Sequence, residues 1–250
     1  MKSPEVPSMT IFVALTIMIV ALVYWRYNNN NNNNNVFSLF KESMETMSEP
    51  PKIVLFGDSI LNNTRYVSSG KSVTASLKRM YGDNLQTYAQ DGAYISNIYG
   101  QIDQFETYGG WDNGSARMHI VISVGGNDLL NAMNTSELDD SKVMHLSSKY
   151  ERLLNYVCGK YPTAVIHLLN VYQPVDDLFT SVSKQIEKWN DEVYTAAISA
   201  NSGKKSQVVN VVKIDEVCVG ETDFVNTIEP SVKGGKKIVS LIVENVNEYY

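Results

Sequence analysis

Three short polar motifs contain the residue types that acyl transfer requires, and each follows a run of apolar residues. The motif GDSI places Ser59 after the first run, where a hydroxyl at a strand-to-loop turn could act as a nucleophile. In QDGA, Gly92 lets a backbone N–H approach a substrate oxygen closely, and in GGND the amide of Asn127 could donate to the same oxygen. A GDS tripeptide alone is also typical of an ordinary turn or helix cap. Together the three motifs predict a serine nucleophile with an oxyanion hole.

The elements that must position these motifs show an α/β alternation. From Lys52 onward, short β-rich runs alternate with longer segments of helical periodicity, which indicates a parallel sheet with helices on both faces. Strands are predicted over 52–57, 84–89, 118–125, 164–170 and 207–214. Helices are predicted over 72–81, 141–160, 178–200 and 231–247. In such sheets the ligand crevice lies at the carboxyl ends of the strands, which is where the three motifs fall.

The segments GDSI, QDGAYISN and VISVGGNDL resemble, in order, the first three sequence blocks of the SGNH (GDSL-type) hydrolases. The resemblance covers about 52–247 and implies a three-layer, flavodoxin-like α/β fold. It also implies that Ser59 is the nucleophile. The oxyanion hole would then be formed by the N–H of Ser59 itself, by Gly92 and by Asn127.

The fourth block of that family, an Asp-x-x-His near the carboxyl terminus, is altered here. Glu229 stands at the histidine position and Asn226 at the aspartate position, while Asp223 lies nearby as a second candidate for the supporting acid. The chain has three histidines, which are His119, His145 and His167. The first and last fall in predicted strands and the other on a predicted helix, so none is placed to serve Ser59.

Glu229 has a functional and a structural interpretation. A carboxylate is a weaker base than imidazole, but burial in an apolar pocket can raise its pKa toward neutrality. It could then act as general base toward Ser59, or polarise a water directly. Alternatively, Glu229 is a carboxylate near the N-terminus of the final helix, stabilised by the helix dipole.

Two classes of function follow from the resemblance. One is a serine hydrolase of the esterase, lipase, deacetylase or thioesterase type that acts on an ester-containing small molecule, lipid or glycan. The other is a catalytically inactive module of the same fold that binds a glycan, lipid or protein ligand. No nucleotide-binding motif and no cluster of metal ligands occurs in the sequence, so we expect no cofactor and no metal.

Charge and cysteine content narrow the class further. The formal net charge is −6 and basic residues are not clustered, which argues against a nucleic-acid partner. The only two cysteines, Cys158 and Cys218, lack metal-ligand spacing. We expect two buried free thiols, with a single disulfide as the alternative in an oxidising compartment.

The amino-terminal region predicts a membrane anchor. Residues 6–25 carry no charge and, as a helix, would span ~30 Å, which is one membrane crossing. We predict a short tail over 1–8, an uncleaved transmembrane signal-anchor over 9–26, an Asn-rich flexible linker over 27–50 and an SGNH-like domain over 51–250. The chain would then be a single-pass membrane protein with a lumenal or extracellular domain, and a cleaved signal peptide is the alternative.

Three Asn-x-Ser/Thr sequences are candidate glycosylation sites, at Asn62, Asn113 and Asn134. Substrate specificity is expected to depend on two predicted loops, 99–115 and 131–141.

Overall fold

Five strands form one parallel sheet, in which the second strand along the chain lies at one edge and is followed by the first, third, fourth and fifth. A computed structural model of the chain describes residues 50–111, 118–202 and 208–249, which belong to one unit. The strands are β1 (Lys52–Gly57), β2 (Leu85–Thr87), β3 (Met118–Ser123), β4 (Val165–Leu169) and β5 (Val208–Val212). Every neighbouring pair in the sheet is parallel. This strand order is that of the flavodoxin-like sheets, so the predicted α/β architecture is confirmed.

Helices cover both faces of the sheet. They are α1 (Val73–Tyr81), α2 (Asn97–Tyr108), α3 (Gly126–Asn134), α4 (Asp140–Lys160), α5 (Ser183–Ser202) and α6 (Val232–Glu248). Short 3₁₀ turns lie at Gly82–Asn84, Asp177–Val182, Ile214–Glu216 and Glu221–Asp223. A small antiparallel hairpin of β6 (Phe224–Val225) and β7 (Glu229–Pro230) precedes α6.

Two apolar cores, one on each side of the sheet, hold the three layers together. In β1, Val54 and Phe56 join the core under α2 to α5, whereas Ile53 and Leu55 join the core under α1 and α6. Trp189 of α5 is fully buried in the first core. Because the central strands are buried on both faces, they read as continuous apolar runs in the sequence.

The predicted elements differ from the observed ones mainly around two helices. All five strands occur within the predicted ranges, but α2 and α3 were not predicted. The predicted loop 99–115 is helical as far as Tyr108, and its residues 112–115 lie outside the described residues. The apolar spacing of Ile98, Ile102 and Phe105, which are all buried, is the helical pattern that the interpretation as a loop overlooked.

His119, His167 and both cysteines are buried, whereas His145 is exposed on α4. His119 and His167 form a buried stacked pair, with 2.9 Å between Nδ1 of the first and Nε2 of the second. Burial, and then the neighbouring ring, lower the pKa of His167 to about 3, so it stays neutral at physiological pH. Cys158 and Cys218 form no disulfide and lie buried in two different cores, in agreement with the prediction of two buried thiols.

The predicted tail, anchor and nearly all of the linker, 1–49, lie outside the described residues. Within the part of the chain that the structure describes, no helix is both long and apolar enough to cross a membrane. Of the three candidate glycosylation sites, Asn62 is half-buried and Asn134 is exposed at the end of α3, while Asn113 falls outside the described residues.

Candidate active site

Ser59 lies where the sequence predicts it, two residues after the end of β1. The N–H of Asp58 donates to the carbonyl of Ser123 at 3.0 Å, which extends the β1–β3 pairing by one residue and fixes the turn. The Asp58 carboxylate accepts hydrogen bonds from the N–H of Ile60 at 3.1 Å and from Oγ of Ser123 at 2.9 Å. These contacts hold the turn so that Ser59 leaves the strand with its side chain at the edge of a pocket.

Asp58 itself is a buried carboxyl group with an altered pKa. Burial raises its pKa to about 7, because the two hydrogen bonds that it accepts do not compensate for lost hydration. The negative charge of Glu229 adds to this rise. Asp58 therefore titrates near neutrality, directly beside the serine.

Glu229 lies against Ser59. Oγ of Ser59 donates to Oε1 of Glu229 at 3.2 Å, joining residues that are 170 positions apart in the chain. Both side chains are largely buried, with relative exposures of 8% and 9%. Oε2 of Glu229 is buried and accepts no hydrogen bond from the described residues. The two residues thus have the geometry of a nucleophile and its base.

The pKa of Glu229 is raised from its ordinary value. Burial is the main cause, the hydrogen bond from Ser59 opposes it, and the negative charge of Asp91 raises it further. The shift makes the carboxylate of Glu229 a stronger base than an ordinary glutamate. The N-cap of α6 is Ser231, whose Oγ accepts from the N–H groups of Lys233 and Gly234. Stabilisation of Glu229 by the dipole of that helix stays a prediction.

A buried asparagine joins the Glu229 hairpin to the Ser59 loop. Asn63 is fully buried; its Nδ2 donates to the carbonyl of Pro230 at 3.0 Å, and its Oδ1 accepts from the N–H of Val73 at 2.7 Å. On the other side, the hydroxyl of Tyr172 donates to the carbonyl of Ile228 at 2.6 Å. The residues on both sides of Glu229 are therefore fixed through their carbonyl groups.

Replacing Asn63 by alanine is expected to loosen this hairpin and misplace Glu229. We expect ester hydrolysis to fall roughly 10–10²-fold, mainly in kcat, because a small misplacement of a catalytic group is costly. The buried carbonyl left unpaired should also lower the free energy of unfolding by about 1–3 kcal/mol. Steady-state kinetics and urea unfolding would measure the two effects.

Asn201 provides the matched control for that substitution. Its side chain also bonds a backbone N–H and a carbonyl, both of Val209, at 2.9 and 2.7 Å, but at the far end of α5. Asn201→Ala should reduce stability and leave kcat unchanged. An equal loss of kcat in both variants would show that Asn63 contributes only to folding.

Asn127 joins the same pocket from the start of α3. Its Nδ2 donates to the carbonyl of Ala93 at 3.0 Å, which ties the loop after β3 to the loop after β2. An asparagine amide has two N–H groups, so one remains for a substrate oxygen. Gly92 immediately precedes Ala93 in that loop, is exposed, and has φ of +76°, a conformation that suits glycine.

Neither candidate for the supporting acid is hydrogen-bonded to Glu229 in the described structure. The buried Asp223 accepts from Nζ of Lys237 at 2.6 Å and from the N–H of Gly220 at 3.0 Å. Burial alone would raise its pKa, but these bonds and the lysine charges outweigh burial and lower it. Asn226 is exposed at the tip of the hairpin, with φ of +48°. Asp223 supports the start of α6, and Asn226 forms the turn.

Several buried polar residues of the site were missed in the sequence. Besides Asn63 and Tyr172, these include Ser123 and also Gln101, which bonds both the N–H and the carbonyl of Gly57 at 2.7 and 2.8 Å. Ser123 ends an apolar strand and Gln101 interrupts the buried face of α2. A polar residue inside an otherwise apolar pattern is the signal that could have identified both.

The pocket at Ser59 also contains Asn127 and Glu229, and it encloses about 590 Å³ of space, part of it open to solvent. Within the described residues, no group of acidic, histidine or cysteine side chains is arranged to hold a metal ion.

Comparison with known proteins supports the fold. A lipolytic protein of the G-D-S-L family from Veillonella parvula superposes with a TM-score of 0.59 at 16% identity, covering 78% of this chain and 97% of the other. The esterase EstA from Pseudoalteromonas sp., in a structure inhibited by monoethylphosphonate, gives a TM-score of 0.57 at 13% identity, with coverages of 80% and 98%. For a variant of an acetyl-xylooligosaccharide esterase from Geobacillus Stearmophilus, the TM-score is 0.59 at 14% identity, with coverages of 80% and 95%.

No protein-family model and no curated protein sequence matches the chain. At these low identities the structural matches concern the fold. The domain has the fold of the SGNH hydrolases, as the three sequence motifs predicted.

Proposed function

We propose that the domain is a serine hydrolase that cleaves an ester, with Ser59 as nucleophile and Glu229 as general base. The observation that carries the proposal is the 3.2 Å hydrogen bond from Oγ of Ser59 to Oε1 of Glu229 inside a pocket. An ester-containing small molecule, lipid or glycan would be the substrate. The neighbours of the same fold include proteins described as esterases, which agrees with this choice.

The first half-reaction would use the residues in the positions they occupy. Oγ of Ser59 attacks the carbonyl carbon of the ester while its proton passes to Glu229. The oxygen that becomes negative accepts hydrogen bonds from the free amide N–H of Asn127 and from the backbone N–H groups of Ser59 and Gly92. When the carbon–oxygen bond to the alcohol breaks, Glu229 returns the proton to the departing alkoxide, which leaves an acyl group on Ser59.

The second half-reaction releases the acid. A water that donates a hydrogen bond to Glu229 attacks the acyl carbon, and its proton passes to the carboxylate. Breakdown of the second tetrahedral intermediate returns the proton to Oγ of Ser59. Oε2 of Glu229, which has no partner among the described residues, offers a place for that water.

A covalent probe tests this proposal on the full chain in detergent. A small fluorophosphonate should react once per protein, and mass spectrometry of the peptides should place the phosphonyl group on Ser59. The raised pKa of Glu229 predicts that the labelling rate rises with pH, since only the carboxylate form can take the proton. A folded protein that is not labelled at any pH would favour the inactive, ligand-binding alternative.

We also propose that the domain is held at a membrane by the predicted anchor 9–26 and lies on the lumenal or extracellular side. The support is the uncharged segment 6–25, followed by an asparagine run that suits a flexible spacer. Alkaline extraction should leave the chain in the membrane fraction, and protease added to sealed cells or vesicles of known orientation should identify the side. Release into the soluble fraction would contradict the anchor.

A further inference from the structure

The pocket beside Ser59 has a long apolar wall. Two segments supply most of it: α3 with the loop between α3 and α4, and the 3₁₀ turn Asp177–Val182 with the first turn of α5. The side chains that form this wall are Leu130, Met133, Leu138, Phe179, Val182 and Ile186. Phe179 and Ile186 are buried and the other four are half-buried, so the wall is partly shielded from water even without a ligand.

The polar side chains that line the pocket are Asp58, Ser59, Asn127, Tyr172 and Glu229, whereas the wall contributes no charged side chain. A ligand group that lies along the wall therefore contacts mainly hydrocarbon side chains. Burial of apolar surface is the interaction available to it.

A polar surface borders Glu229 outside this pocket. Arg65 and Asp91 form an ion pair at 3.5 Å, and Arg65 is largely exposed, with 82% of its side chain accessible. Asp91 is close enough for its charge to act on Glu229, and it directly precedes the exposed Gly92. A substrate that is bound at Ser59 and contacts both the apolar wall and this polar surface would therefore have one apolar end and one polar end.

The order of bond breaking decides which end enters the pocket. The alcohol must leave after the first half-reaction, which an open, hydrated surface permits. The acyl group stays bonded to Ser59 until water attacks, so contacts with the apolar wall stabilise it through both steps. A longer acyl chain can bury more of its surface against the wall than an acetyl group can.

Building on the proposed function, we propose that the substrate is an ester of an aliphatic acyl chain longer than acetyl. The chain lies along the wall of Leu130, Met133 and Phe179, and the more polar alcohol part faces Arg65 and Asp91. Each methylene that enters the wall should raise kcat/KM by about fourfold until the pocket is full. The pocket thus selects for acyl length.

Two isomeric esters test the assignment of the ends. Ethyl octanoate and octyl acetate contain the same atoms and have nearly the same hydrophobicity, but the long chain is on the acyl side in one and on the alcohol side in the other. With the full chain in detergent, ethyl octanoate should be hydrolysed with a kcat/KM about tenfold or more above that of octyl acetate. Equal rates, or a preference for octyl acetate, would overturn the proposal.

A pair of matched substitutions tests the wall itself. Leu130→Trp narrows the pocket and should lower the octanoate-to-acetate ratio of kcat/KM, measured with p-nitrophenyl esters, by about tenfold. Leu178→Trp makes the same change on an exposed side chain that does not line the pocket, and should leave the ratio as in the wild type. An unchanged ratio in Leu130→Trp would contradict the location of the acyl chain.

Failure of the inference and failure of the proposed function give different results. If a fluorophosphonate labels Ser59 and short esters are cleaved without regard to acyl length, only the inference fails. If Ser59 is not labelled and none of the esters is cleaved, the proposed function fails and the inference fails with it.

Discussion

Replacing Ser59 by alanine is expected to abolish ester hydrolysis, lowering kcat by about 10⁴-fold or more, because no other hydroxyl is bonded to Glu229 in the described structure. Fluorophosphonate labelling should disappear in the same variant. The fold should persist, since Ser59 contributes no bond to the sheet. The measurements are initial rates on an ester and labelling followed by mass spectrometry, with Ser69→Ala at an exposed position as control.

The double variant separates two roles for Glu229. If Glu229 acts by taking the proton of Ser59, adding Glu229→Gln to Ser59→Ala should cost almost nothing further, since the two groups act as a unit. If Glu229 instead activates a water that attacks the ester directly, Ser59→Ala should retain hydrolysis and the second substitution should remove it. Activity that persists in Ser59→Ala would therefore contradict the serine mechanism.

The fold could be predicted from the sequence because each central strand is buried on both faces. A strand such as β1 has helices above and below it, so the residues from Ile53 to Phe56 form an unbroken apolar run, and the motif Gly57-Asp58-Ser59 marks its carboxyl end. The motifs of Ser59 and Asn127 follow β1 and β3, which are direct neighbours in the sheet. A parallel sheet brings such strand ends together at one edge, and local patterns therefore predicted a shared site.

Other features depend on contacts that no local pattern contains. Asn63 bonds the carbonyl of Pro230, a partner 167 positions away, and lies in a polar segment that the sequence interpretation treated only as a glycosylation site. Helix α3 follows Gly125, which has φ of +113°, and is nine residues long, so it lacks both a side-chain cap and a long periodic stretch. The hydrogen bond from Lys237 to the carboxylate of Asp223 likewise depends on how α6 packs against the turn before β6.

Glu229→Gln is expected to lower kcat by about 10²–10⁴-fold and to change the pH dependence of what remains. In the wild type, kcat/KM should rise with pH through the raised pKa of Glu229, because the ionised carboxylate is the base. Glutamine cannot ionise, so this rise should be absent from the residual activity. Glu244→Gln, on an exposed part of α6, should retain the wild-type profile.

The same substitution should stabilise the protein at neutral pH. A carboxyl group whose pKa is higher in the folded than in the unfolded state holds its proton more tightly when folded. The free energy of unfolding therefore decreases as pH rises from the ordinary pKa of glutamate through the raised pKa of Glu229. Glutamine has no ionised form, so the variant does not lose stability in this way. Thermal unfolding at a pH above the raised pKa of Glu229 should therefore give Glu229→Gln a higher Tm than the wild type. Ionisation of Asp58, whose pKa is about 7, decreases the stability of the folded protein in the same way. This decrease remains in the variant but occurs at lower pH, because the charge of Glu229 no longer raises the pKa of Asp58.

This pairing of lost activity with gained stability is the signature that distinguishes a catalytic carboxylate from a structural one. If the carboxylate of Glu229 held the hairpin through a net stabilising interaction, its removal should lower Tm, because the interaction lost would outweigh the gain from removing a buried charge. If it is the base, the protein tolerates a buried negative charge beside Asp58 because that charge is needed for the reaction. A lower Tm at neutral pH together with unchanged kcat would overturn the assignment of Glu229 as the base.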